Sequence, residues 1–142
     1  MSAFRFHHRL QVRFRDCDLM GHANTAVYFT YVEQARFAYW RELADSTASE
    51  ALPSIIVARA ECDFVRSARP GEWLEVWIGT TRIGRTSFTI ECEILGEDGQ
   101  LVARAKTVQV MYDYATAKTF PVPDSFRARM EEYEGRKLSL QS

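Results

Sequence analysis

The sequence has 142 residues, is 46% hydrophobic, and carries 18 basic residues against 19 acidic ones, a formal net charge of -1. A chain of this size buries a core without staples. Its balanced charge excludes a global field for nucleic acid or an anionic membrane, so any anion site must be local.

The opening Met1-Ser2-Ala3-Phe4-Arg5-Phe6 lacks the layout of a secretory signal, and no apolar run reaches the length of a membrane span. A single cytoplasmic domain over 1–142 is expected. Cys17, Cys62 and Cys92 are widely spaced, with no C-x-x-C pair and no histidine grouping nearby, and read as reduced thiols with no metal site.

Phe4 to Phe14 alternates, with Phe4, Phe6, His8, Leu10, Val12 and Phe14 on one side and Arg5, His7, Arg9, Gln11 and Arg13 on the other, which predicts a half-buried strand. The turn-rich Asp16-Cys17-Asp18-Leu19-Met20-Gly21-His22 follows. Asn24 or Thr25 then offers a side-chain oxygen to cap a helix running to about Ala44. Val27, Tyr31, Ala35 and Ala38, with Tyr28, Val32 and Tyr39 alongside, form its apolar stripe, and Glu33, Arg36 and Arg41 fall largely off that face.

Beyond Pro53, four strands are predicted at Ile55 to Phe64, Trp73 to Ile83, Thr86 to Leu95 and Leu101 to Tyr112. They are separated by Pro70-Gly71, Gly84-Arg85 and Glu97-Asp98-Gly99. The last two connections are short enough to require antiparallel neighbours. In the third strand Phe88, Ile90, Cys92 and Ile94 alternate with Ser87, Thr89, Glu91 and Glu93, giving one packed face and one wet one. Asp124-Ser125 is suited to cap a terminal helix bearing Phe126, Met130 and Tyr133, beyond which the chain end is expected to fray. This order predicts an α+β architecture, an antiparallel sheet curled around one long helix, with edges that dimerisation would extend.

Val12 to Phe29 carries the chemical signal. Two acids at a strand end precede a Gly-bearing loop and a helix start, whose unpaired N–H groups and positive dipole end favour developing negative charge. A carboxylate there can attack a carbonyl or deprotonate water while backbone donors hold the oxyanion. A structural acid that caps a turn, or pairs with Arg13 or Arg15, would leave the same residue pattern, so the residues alone leave function open.

The Asp-x-Asp-x-x-Gly-His-x-Asn segment, followed by Val27-Tyr28-Phe29, resembles the signature of the 4-hydroxybenzoyl-CoA thioesterase-like family of hotdog proteins. It is most similar to the branch of bacterial short-chain and long-chain acyl-CoA thioesterases. The likeness continues through Val65 to Leu74 and through Ile83-Gly84-Arg85-Thr86-Ser87-Phe88. It implies the hotdog fold, hydrolysis of an acyl-CoA in a homodimer or homotetramer, and no cofactor beyond the coenzyme A of the substrate.

Carried onto this chain, the family's catalytic aspartate falls on Asp18 rather than Asp16, as nucleophile or as base for water. The backbone at Asn24 and Thr25 would polarise the thioester carbonyl. His22 would orient water or the thioester, Tyr28 would wall the acyl pocket, and Arg85, Thr86 and Ser87 would meet coenzyme A. Ala23 and Thr25 depart from the branch's commoner Val and Asn, so position 25 offers a hydroxyl and no side-chain amide. Two other readings stand beside this one. A hotdog hydratase or dehydratase needs an aspartate-to-histidine motif that the Asp18–His22 spacing does not reproduce, and a non-catalytic acyl-CoA binder would not need Asp18.

Overall fold

A computed structural model describes residues 3–44 and 54–139. Strand β1 (Phe6–Gln11) is followed by a 3-10 turn (Phe14–Asp16) and the long helix α1 (Thr25–Ala44). Strands β2 (Ile55–Phe64), β3 (Trp73–Ile83), β4 (Ser87–Leu95) and β5 (Leu101–Asp113), a two-residue β6 (Lys118–Thr119) and helix α2 (Asp124–Glu134) complete the order. The strands lie β1-β3-β4-β5-β2, every neighbour antiparallel, and β6 pairs with β5. This is the sheet-and-helix arrangement the sequence predicts, with β6 as an addition.

The first strand is shorter than its alternation suggests. Val12 still pairs with the chain ahead of β3, donating to Glu72 O at 2.9 Å and accepting from Gly71 N at 2.8 Å. The backbone then closes a tight turn because the Arg13 N–H bonds the Asp16 carboxylate at 2.9 Å. Phe14 is consequently swung out of the sheet and is 86% exposed.

Phe88, Ile90, Cys92 and Ile94 of β4 are buried, as their alternation requires, but the opposite face is not uniformly wet, since Thr89 is buried as well. Tyr28, Tyr31, Val32, Ala35, Tyr39, Trp40 and Leu43 form the buried stripe of α1. Ala35, with no side chain beyond Cβ, lets the helix approach the sheet closely. At the far end of α1, Trp40, Phe88 and Phe126 pack with ring centroids 5.5 to 5.8 Å apart, pinning α2 over the core. The expected side-chain cap of α2 is not made. Pro123 occupies the cap position and Asp124 is the first helical residue, its charge favourable at the amino-terminal end. The chain end expected to fray, residues 140–142, lies outside the described residues.

The two sheet edges differ. Strand β2 is exposed over nearly its whole length, and Ile56, Val57 and Phe64 with the following Val65 present apolar surface there. No described helix is long and apolar enough to cross a membrane.

Candidate active site

The loop between the 3-10 turn and α1 separates its two acids by environment. Asp16 is 3% exposed and all its carboxylate capacity is used. Its Oδ1 accepts from Arg13 Nε and Nη2 at 3.2 and 3.0 Å, and its Oδ2 accepts from Arg13 N and from the Tyr31 hydroxyl at 2.9 and 2.8 Å. Arg13 thus pairs with Asp16, not with Asp18. Burial pushes the Asp16 carboxyl up, but the Arg13 guanidinium, the Arg13 N–H and the Tyr31 hydroxyl outweigh it and hold the group below its ordinary 3.8. Tyr31 is driven the other way by burial and by the same carboxylate.

A carboxylate depressed on folding stabilises the native state fully above its unfolded pKa, and this contribution is lost as pH falls through the lowered folded value. In acid titration of the unfolding midpoint, wild type should lose stability below about pH 4 through Asp16. Asp16→Asn should be less stable at neutral pH and flatter in acid; parallel acid limbs would contradict this.

Asp18 lies exposed on the same loop. Its N–H donates to His22 O at 2.9 Å, its carbonyl accepts from Gly21 N at 3.0 Å, and Oδ1 accepts from Met20 N at 2.8 Å, leaving lone pairs on the carboxylate free. Gly21 closes this turn at φ 77°, a backbone region that strains other residues. Leu19 and Met20 beside it are 105% and 77% exposed, an apolar rim with nothing over it in the single chain. Burial and the two aspartates raise the Cys17 thiol, which keeps it protonated and a poor nucleophile.

The helix start behaves as its sequence suggests. Asn24 Oδ1 accepts from Ala26 N at 3.0 Å and Asn24 O accepts from Val27 N at 2.9 Å. Among the described residues nothing accepts from the Thr25 N–H, so an amide at the positive end of α1 is left open beside the Asp18 loop. Asn24 is therefore the cap. Asn24→Ala should cost about 1 kcal/mol, read from the urea midpoint; no change would remove that role.

His22 and Tyr28 take different positions. His22 lines a cavity of about 510 Å³ with Arg66, Ser67, Arg69, Glu72, Glu97 and Asp98. Arg66 is engaged there, donating to Glu72 Oε2 at 2.7 Å and Asp98 Oδ1 at 3.1 Å. Tyr28 is 2% exposed, its hydroxyl accepting from Ala68 N at 3.2 Å and its ring 5.2 Å from that of Phe64. In the single chain it is a core residue that props the loop ahead of β3. Neither this prop nor the Asp16 hub was visible in the sequence, although the Arg13-x-x-Asp16 spacing permits the ion pair.

Arg85, Thr86 and Ser87 are brought together with one another but not with Asp18. Their turn is held by Gly84 N to Ser87 O, Met111 N to Thr86 O and Val122 N to Arg85 O, at 2.7, 2.8 and 2.8 Å. The Arg85 side chain is exposed. The Asp18 loop rests on the chain entering β3, through Ala23 N to Ala68 O, whereas this turn leaves the other end of the same strand. Eleven extended residues lie between them, about 35 Å.

The chain is similar to known proteins in sequence and in fold. Residues 12–130 match the thioesterase-like superfamily. A thioesterase from Thermus thermophilus, solved with coenzyme A and zinc, superposes with a TM-score of 0.85 at 33% identity, covering 97% of this chain and 100% of that one. The Bacillus subtilis protein YsmA is 31% identical over 97 residues, 68% of this chain, and the match spans 64% of that relative's own length. The 1,4-dihydroxy-2-naphthoyl-CoA hydrolase of Synechococcus elongatus is 27% identical over 121 residues, 80% of this chain and 85% of that protein. With its five-stranded antiparallel path, central helix and acid-bearing loop, the chain belongs to the thioesterase-like superfamily and has the hotdog fold.

Proposed function

We propose that this chain hydrolyses the thioester of an acyl-CoA, with Asp18 as the activating carboxylate and the Thr25 N–H as oxyanion donor. The observation that carries it is the pairing of an acid with uncommitted lone pairs and an uncommitted helix-start amide on one short loop. In one route water adds to the carbonyl carbon as Asp18 takes its proton, the C–S bond then breaks, and that proton passes to the leaving sulfur, giving the free acid and the thiol of coenzyme A. In the other the Asp18 carboxylate attacks the carbonyl carbon and the C–S bond breaks as the acyl anhydride forms; water then cleaves the anhydride, restoring the carboxylate and releasing the acid, and a water proton ends on the thiolate. Oxygen becomes more negative at the tetrahedral stage, where a donor fixed at the helix end is worth most. Asp16 is an unsuitable alternative because its oxygens are buried and occupied. His22 is the side chain best placed to steer water or the thioester, since it borders the cavity on the same loop.

The working unit in this proposal is a homodimer formed through β2. Its exposed ten-residue edge has unpaired backbone groups and apolar side chains, a surface that pairs readily with another strand. Two-fold antiparallel pairing of β2 with its copy reverses the ends of the second subunit. Phe64, next to Tyr28 and the Asp18 end, would face the partner's Ile55 end, which borders the turn at Arg85, Thr86 and Ser87. Coenzyme A would then lie across the seam, its thioester at Asp18 of one subunit and a phosphate at the partner's Arg85. The coenzyme A bound by the Thermus thermophilus thioesterase supports that ligand class. Three free cysteines fit a reducing, cytoplasmic setting.

A thiol-release screen over short, long and aromatic acyl-CoAs tests the reaction. Release from at least one class is expected. Binding without release at every chain length would replace the hydrolase by an acyl-CoA binder, and hydration of an enoyl-CoA in place of release would indicate a hydratase.

A further inference from the structure

Asp16 is the most heavily bonded side chain near the proposed site, yet the reaction uses neither of its oxygens. It joins three parts of the molecule that must keep their distances if an acid and a helix-end amide are to act on one carbonyl. Through Arg13 it holds the end of the first strand. Through the Tyr31 hydroxyl it holds α1 two turns in, on the buried face. Through its own carbonyl, which accepts from Asn24 N at 2.9 Å, it holds the capping residue next to Thr25.

We propose that Asp16, held by Arg13 and Tyr31, is a positioning residue that fixes the Asp18 carboxylate against the amino-terminal end of α1. The inference rests on the hydrolase reading above. A buried ionised carboxylate is stable only when its hydrogen bonds are complete, so the clamp tolerates little slack. Chain continuity carries that rigidity outward. Asp18 is two residues beyond Asp16, and the Cys17–Ala23 backbone bridge closes the loop between them and the helix. Removing the Tyr31 hydroxyl deletes one strut with almost no change in shape. The helix and loop can then shift against each other, and reactive geometry is sensitive to shifts below about 1 Å.

The test uses the full chain and compares Tyr31→Phe with Val32→Ala. Val32 is the neighbouring core residue on α1, 1% exposed, and its hydrocarbon side chain can make no hydrogen bond to Asp16. Both variants should lower the melting temperature. Tyr31→Phe should lower kcat roughly ten- to hundredfold with KM within about twofold, whereas Val32→Ala should keep kcat within about twofold. Amide hydrogen exchange reads the same clamp without turnover. The Asn24 and Ala26 amides should exchange at least about tenfold faster in Tyr31→Phe and in Asp16→Asn than in wild type.

Unchanged kcat in folded Tyr31→Phe would overturn the positioning role, as would an equal fall in Val32→Ala. Unchanged amide exchange would overturn it even if the wild-type protein releases no thiol. Absence of thiol release in wild type, with accelerated exchange in the variants, would overturn the hydrolase reading and leave the clamp as a loop-ordering device without a reaction to serve.

Discussion

Asp18→Asn is expected to lower kcat by roughly 10²–10⁴-fold, the contribution of a positioned carboxylate base, and by the upper part of that range or more if the acid is the nucleophile. The substitution is nearly isosteric, and Asn keeps the acceptor that Met20 N uses at 2.8 Å. The residue is exposed, so stability should move by no more than about 0.5 kcal/mol. KM should change little, because the carboxylate acts on the bond being formed and not on the carrier. Thiol release at saturating acyl-CoA, with the melting temperature and oligomeric state measured on the same preparation, reads all of this. Turnover near wild type would remove Asp18 from the mechanism. Since Asp16 is spent on Arg13 and Tyr31, no second acid on the loop stands ready to replace it.

Much of the frame was legible because its signals are local and periodic. β2 and β3 have the predicted bounds, and α1 ends at Ala44 as expected, since strand alternation, the helical stripe and the Asn24 cap act over a few residues each. The errors arose where a short-range side-chain bond or a cap residue overrides the periodic pattern. Phe14 continues the alternation of the first strand on paper, but the Asp16 carboxylate pulls the Arg13 N–H out of the ladder and turns the chain. Pro123 displaces the expected cap of α2.

At the site, spacing could nominate Asp16 and Asp18 together but could not divide their labour. That division depends on Tyr31, fifteen residues downstream, being folded over one and not the other. Tyr28 is similar. Its position on the apolar stripe was visible, but its bond to Ala68, forty residues away, was not. Nor could the sequence reveal that Asp18 and Arg85 sit at opposite ends of β3, which under the proposed function divides the site residues between two subunits.

That division makes a sharp prediction. If Arg85 holds a phosphate of coenzyme A as proposed, Arg85→Ala removes a charge-assisted contact, expected to cost about 1.5–3 kcal/mol, or roughly ten- to hundredfold in kcat/KM. Asp18→Asn removes the chemistry. Each pure variant should therefore be poor below KM. If every site takes Asp18 from one subunit and Arg85 from the other, a mixed dimer contains one site with both changes and one site with neither. Equal amounts refolded together form mixed dimers about half the time, so about one site in four should be intact and about a quarter of wild-type activity should return. If instead one subunit supplied both residues, no mixing could produce an intact site, and activity would stay at the average of the parents. Recovery in the mixture thus separates a composite site from two independent ones without any appeal to the shape of the dimer. A composite site would also account for the uncovered apolar rim of Leu19 and Met20 on the Asp18 loop of a lone chain, which would then be one wall of a site whose other wall belongs to a second copy.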